Sequence, residues 1–144
     1  MKEQFTAYLK SIGMSDVLIR RVETIHEFYQ DICHEEITGI FVNDFIKEDG
    51  NREYESLWLF SQAYLMEAKS FISKDEFDMT PLNKKVEYWS VEKQDYDFAK
   101  ATDKSRVNLK IAFRYPIDGI FKASKENCDF LRDVFLKYIM PNVN

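Results

Sequence analysis

Residues 57–71 read LWLFSQAYLMEAKSF. Two apolar runs, each the length of one strand, flank Ser61-Gln62 with neither glycine nor proline between them. Aliphatic and aromatic side chains of this kind fit a pleated surface, so the runs predict adjacent strands, about Glu53 to Phe60 and Ala63 to Phe71. Tight primed turns favour Asn or Gly. Ser61-Gln62 is therefore read as a plain polar turn, and the aromatic density around it as core.

Upstream, ITGIFVNDFI (37–46) is β-branched and aromatic, and KEDGN (47–51) brings Asp49-Gly50, a favoured hairpin dipeptide. A strand over 37–46 therefore pairs with the one ending at Phe60. Before it the period is helical. Phe5, Tyr8, Leu9 and Ile12 share one face of a short helix, with Gly13 placed to end it in a left-handed conformation. Ser15 then caps a second helix, with Asp16 in its first turn facing the positive end of the dipole. Leu18, Val22, Ile25, Tyr29 and Ile32 form its apolar stripe, widened by Phe28, to about Glu36.

Downstream, ISKDEFDMTPLN (72–83) is polar, contains Pro81 and reads as a connection. KKVEYWSVEK (84–93) alternates, with Val86, Tyr88 and Ser90 on one side and Glu87, Trp89 and Val91 on the other. QDYDFAKATDKS (94–105) reads as a turn. RVNLKIAFRY (106–115) is the clearest strand: Val107, Leu109, Ile111, Phe113 and Tyr115 point one way, Arg106, Asn108, Lys110 and Arg114 the other. Such alternation means one face in the core and one in water. Pro116 breaks it, and IDGIFKA (117–123) supplies one more strand. Ser124 is placed to cap a last helix to about Ile139, with Leu131, Val134, Phe135 and Tyr138 as its buried stripe and Pro141 as its stop.

The fold class is α+β: two helices, about six antiparallel strands and a terminal helix, within one domain over 1–144. Residues 1–36 form a helical extension, and 37–140 a sheet with its C-terminal helix. Short loops favour a meander, because parallel pairing needs crossovers of a dozen or more residues. A curved sheet or partly open barrel, closed at one end by the last helix, buries all these faces. LWLFSQAYLMEAKSF, the meander strands after it and the closing run DGIFKASKENCDFLRDVFLKYI resemble the pleckstrin-homology superfold over about residues 37–140. The resemblance implies a non-enzymatic module for phosphoinositide headgroups, peptides or proteins. Phosphoinositide binders of that superfold carry several Lys and Arg on the first hairpin. Here it reads FIKEDGNREY, where Lys47 and Arg52 are outnumbered by Glu48, Asp49 and Glu53, which argues against headgroup binding. An NTF2-like cone and a helix-grip fold are the alternatives. The cone usually ends on a strand, whereas this chain ends on a helix. The grip normally places its paired helices after its first strand.

The chemistry offered is sparse. The net charge is −5, which argues against non-specific attraction to nucleic acid or anionic lipid. A 45% hydrophobic, 15% aromatic composition with 4 Gly and 3 Pro suits one packed core with little linker. No apolar stretch approaches the roughly 20 residues of a membrane span, and MKEQFTAYLKSIG lacks the apolar core of a secretion signal, so a cytoplasmic location is expected. Cys33 and Cys128 have no CxxC neighbour and are expected as reduced thiols. Glu23 and His26 have a spacing that metal sites use on helices, but no second copy exists, so both are read as a solvated face. His34 beside Cys33 and Glu35-Glu36 cannot converge on one ion, because consecutive helical positions diverge. No catalytic, cofactor or metal site is assigned.

The expected function is a protein-interaction or regulatory module, with the balance against an enzyme. The alternative is a small-molecule binder or small enzyme with a cavity in the curved sheet, for which Glu67, Glu87 and Tyr88 are the polar residues to inspect. The basic stripe Arg106, Lys110 and Arg114 is the candidate partner surface, suited to an acidic protein. Self-association through the N-terminal helices is the other expected contact, because their apolar stripe must be covered.

Overall fold

The computed structural model describes residues 1–82, 86, 88–95, 107–114 and 118–142. Helix α1 (Glu3–Ser11) and helix α2 (Asp16–Cys33) precede a four-stranded antiparallel sheet of β1 (Gly39–Ile46), β2 (Arg52–Phe60), β3 (Tyr64–Lys69) and β4 (Glu76–Pro81). A three-stranded antiparallel sheet follows, built from β5 (Tyr88–Asp95), β6 (Val107–Arg114) and β7 (Asp118–Ser124). The chain ends in α3 (Asn127–Val134), a π-helical turn (Phe135–Ile139) and a 3-10 turn (Met140–Asn142). Among the described residues the two sheets do not close into one barrel.

The opening hairpin lies where its pattern placed it, and its uninterrupted apolar run has a physical cause. Trp58 and Phe60 point to the second sheet, where Phe121 meets Trp58 at 4.6 Å and Phe60 at 6.4 Å. Neighbours in a strand point to opposite faces, so Leu57 and Leu59 point to the other side, and both are fully buried. The N-terminal helices bond on that side: Tyr29 Oη meets Ser61 Oγ at 3.1 Å, and Arg21 Nε donates to Phe71 O at 2.7 Å. With helices over one face and a sheet over the other, no residue of the run reaches water.

The turn without glycine is held by α2 and the residues after it. Ser61 is fully buried; its hydroxyl donates to Glu35 Oε2 at 2.6 Å, and the same oxygen accepts the Ala63 N–H at 3.2 Å. Burial pushes the Tyr29 phenol beside it up to about 12. The β1–β2 turn follows its sequence: Gly50 has φ +87°, and Asp49 accepts the Asn51 N–H.

β1 and β7 carry no main-chain ladder between them, yet side chains of β1 join the two sheets. The Asn43 amide donates to Ile120 O at 2.9 Å and accepts from Lys122 N at 3.2 Å and Trp58 Nε1 at 3.1 Å. One buried side chain thus takes the place of a peptide unit. The C-terminal helix covers one end of the inter-sheet space. Tyr138 stacks on Phe60 at 4.2 Å and shares a 2.9 Å hydrogen bond with Thr38, while Phe135 packs on Trp89 at 5.2 Å. Gly39 is required there, because a Cβ would sit 2.5 Å from Tyr138 Oη.

Several expectations need correction. Residues 76–81, read within a connection, form edge strand β4, which tolerates Pro81 as its last residue and carries the charges that edge strands favour. The strands number seven among the described residues, and β5 takes in Gln94 and Asp95, read as turn. Ser124 is no helix cap: it ends β7, its N–H donates to Asp44 Oδ1 at 2.8 Å, and Glu126 holds the cap position. The α2 stripe is rotated toward Ile19, Val22, Ile25, His26 and Tyr29, leaving Phe28 and Ile32 exposed. His26, read as solvated, is buried, its ring 6.2 Å from Phe5. Residues 96–106 and 115–117, which include Arg106, Tyr115 and Pro116, lie outside the described residues.

Candidate functional site

Of the basic stripe, Lys110 and Arg114 can be placed. In β6 they alternate with Leu109, Ile111 and Phe113, which turn inward, so both stand on the outer face of the second sheet. Register places Tyr88 opposite Arg114, Ser90 and Ile120 opposite Ala112, and Glu92 and Lys122 opposite Lys110, all on that face. Tyr88 is 57% and Ile120 41% exposed. Lys110, Arg114 and Lys122 share that face with Glu92, and Asp118 stands opposite Arg114 in register. Lys122 reaches across to Glu55 on β2 at 3.4 Å.

The cavity residues separate. Tyr88 is on the outer face, and Glu87 lies outside the described residues. Glu67 pairs in register with Trp58 and borders a groove of about 560 Å³ with Glu53, Glu55, Ser56 and Lys69. Burial raises its carboxyl above the usual range, opposed by a hydrogen bond from Ser56. The groove is open to solvent rather than enclosed. Among the described residues no cluster of His, Cys, Asp or Glu is arranged to hold a metal ion. Both cysteines are half-buried thiols outside any disulfide among the described residues, and burial pushes the Cys128 thiol up to about 11, away from reactive thiolate.

One polar cluster escaped the sequence reading. Between β1 and β2 the register advances two residues on β1, from Val42 to Asp44, against three on β2, from Leu57 to Tyr54. The extra β2 residue is a bulge, and it turns Tyr54 and Arg52 to the side of the sheet that carries Asp44 and the helices. There Tyr54 Oη donates to Ile12 O at 2.8 Å, and Arg52 Nη1 donates to Ile12 O at 2.6 Å and to Glu126 Oε1 at 2.7 Å. The Asp44 carboxylate is fully buried, and its Oδ1 accepts from Ser124 N and from Asn127 Nδ2 at 3.0 Å. Asn127 Nδ2 also donates to Val42 O, while its Oδ1 accepts from Tyr8 Oη at 2.8 Å, and Tyr8 Oη accepts the Val42 N–H. Asp44 Oδ2 lies 3.0 Å from Arg52 Nε yet receives no aligned hydrogen bond. The contact is one of charge without direction.

Burial pushes the Asp44 carboxyl up to about 6, against the lowering effects of Asn127, Arg52 and the Ser124 N–H. Glu126, half-exposed and hydrogen-bonded to Arg52, is held below the usual range. A signal was present in the sequence: Asn43-Asp44 is a polar pair inside an otherwise apolar strand, a local inconsistency that needs partners. Compared with protein-family models, curated proteins and solved structures, the chain matches none.

Proposed function

We propose that the chain is a non-catalytic interaction module on a pleckstrin-homology-like framework, receiving an acidic segment of a protein partner on the outer face of its second sheet. Four strands followed by three, with a helix over one end of the space between them, favour that framework. The interior favours a module over a cavity, because Phe41, Trp58, Phe60, Phe113 and Phe121 fill the described space between the sheets with rings in contact. The observation that carries the surface is the grouping of Lys110, Arg114 and Lys122 around exposed Tyr88 and Ile120. An apolar centre with a polar rim is the usual anatomy of a protein-binding patch, and cations at that rim favour an acidic partner.

Native mass spectrometry of freshly purified protein tests the module reading. The bare polypeptide mass is expected; a retained small molecule overturns it in favour of a ligand-binding cavity. A dimer would direct attention to Phe28 and Ile32, the exposed flank of α2. The surface is tested by NMR titration with a glutamate-rich peptide. Shifts confined to residues 88–92, 110–114 and 120–122 are expected, and shifts elsewhere or none overturn the assignment.

A further inference from the structure

The cluster around Asp44 holds two carboxylates, Asp44 and Glu126, and one guanidinium, Arg52, between them. Arg52 directs its aligned hydrogen bonds to Glu126 and Ile12 O, which leaves Oδ2 of the fully buried carboxylate with only a charge contact. Tyr8 faces Asp44 from α1, Arg52 and Tyr54 from β2, and Glu126 and Cys128 from the start of α3. Lys125 acts on Glu126 at the surface. Among the described residues no second cation faces Asp44. A buried anion in excess is relieved by binding a proton, because desolvation penalises only the charged form.

We propose that Asp44, Arg52 and Glu126 form a proton-operated latch on the N-terminal helix: when Asp44 takes up one proton, Arg52 is released to Glu126 and the Ile12 carbonyl, and α1 is gripped more firmly. The grip is direct, since Arg52 and Tyr54 both donate to Ile12, the residue that ends α1. Tyr8 ties the middle of the same helix to Asn127, whose amide also serves Asp44. The direction follows from linkage. A carboxyl raised in the folded state favours folding below its ordinary value near 3.8 and loses that contribution as pH rises through about 6. Mild acid therefore tightens the latch, and neutral pH loosens it.

The test is carboxyl-carbon NMR on the natural chain. An Asp44 midpoint above about 5 is expected, and one below about 5 overturns the proposal. Glu126→Gln removes the competitor at a half-exposed position and should return Arg52 to Asp44, lowering the Asp44 midpoint. An unchanged midpoint would mean that burial alone acts and would overturn the shared guanidinium. Asp44→Asn mimics the protonated form. Relative to it, the folding constant of the natural chain should rise about tenfold between pH 7 and pH 5, and a constant ratio counts against the latch. Amide exchange protection over Phe5–Ile12 should rise on acidification in the natural chain and not in Asp44→Asn; equal behaviour overturns the grip on α1. The titration needs no variant, so it decides the matter even where Asp44→Asn does not fold.

Discussion

The two sheets are built by the same antiparallel rule yet differ in how many faces they bury. In the first sheet, Trp58 and Phe60 meet the rings of the second sheet while Leu57 and Leu59 lie under the N-terminal helices. In the second, Ile111, Phe113, Phe121 and Ala123 turn inward, and Lys110, Arg114, Ile120 and Lys122 meet solvent. The sequence pattern tracks this difference. LWLF runs without interruption because both its faces are covered, and VNLKIAFR alternates because one is not. The pattern of a strand thus reports the number of its neighbours as well as its conformation.

The largest way to break the contrast is to remove residues 1–36. That exposes Leu57, Leu59, Ile40 and Val42 together, and the truncated chain should lose its cooperative fold or aggregate by size-exclusion chromatography and circular dichroism. A folded monomer of the shorter chain would show that the helices are not part of the core. Next in size, Leu59→Ala under the helices should cost about 2–5 kcal/mol in urea denaturation, against less than about 0.5 kcal/mol for Ile120→Ala on the open face. Equal costs would erase the distinction. Tyr8→Phe leaves Asn127 Oδ1 and the Val42 N–H without their buried partner, with an expected loss of about 1–3 kcal/mol.

His26 sharpens the comparison through pH. Burial, then the nearby N-terminal amine, lowers its imidazole from the ordinary value, with Glu27 acting in the opposite sense. A depressed base of this kind contributes stability above its ordinary value near 6.5 and loses it as pH falls through the folded value. Thermal melts between pH 8 and pH 5 should therefore fall more steeply for the natural chain than for His26→Phe. The opposite trend at Asp44 makes the whole-chain curve a difference of two effects, so each is read against its own variant. The smallest effect is on stability at the open face. Lys110→Glu with Arg114→Glu should leave it within about 0.5 kcal/mol while abolishing the shifts caused by the glutamate-rich peptide.

Periodicity made much of the fold legible. The Ser15 cap, Gly13, the Asp49-Gly50 turn and the strands around residues 57–69 and 107–124 lie where short-range chemistry placed them. β4 escaped because Pro81 and three acidic residues from Asp75 to Asp78 look like a loop, whereas at an edge they prevent unwanted pairing. His26 escaped because spacing fixes which residues share a helical face but not how far cover extends around it. The Asp44 cluster was hidden for a different reason. Tyr8, Arg52 and Asn127 are far apart in the chain, and only the bulge between Tyr54 and Leu57 turns Arg52 to the same side.

The Asn43 bridge gives the molecule a joint of a particular mechanical kind. A ladder of main-chain bonds resists shear along its whole length, whereas an amide at the end of two rotatable bonds works as a pivot. The seam is made by side chains, Asn43 on Ile120 and Lys122 and Asp44 on Ser124, and so lies outside the ladders on either side. A substitution at Asn43 therefore loosens the seam between the sheets while leaving the main-chain ladders on either side in place.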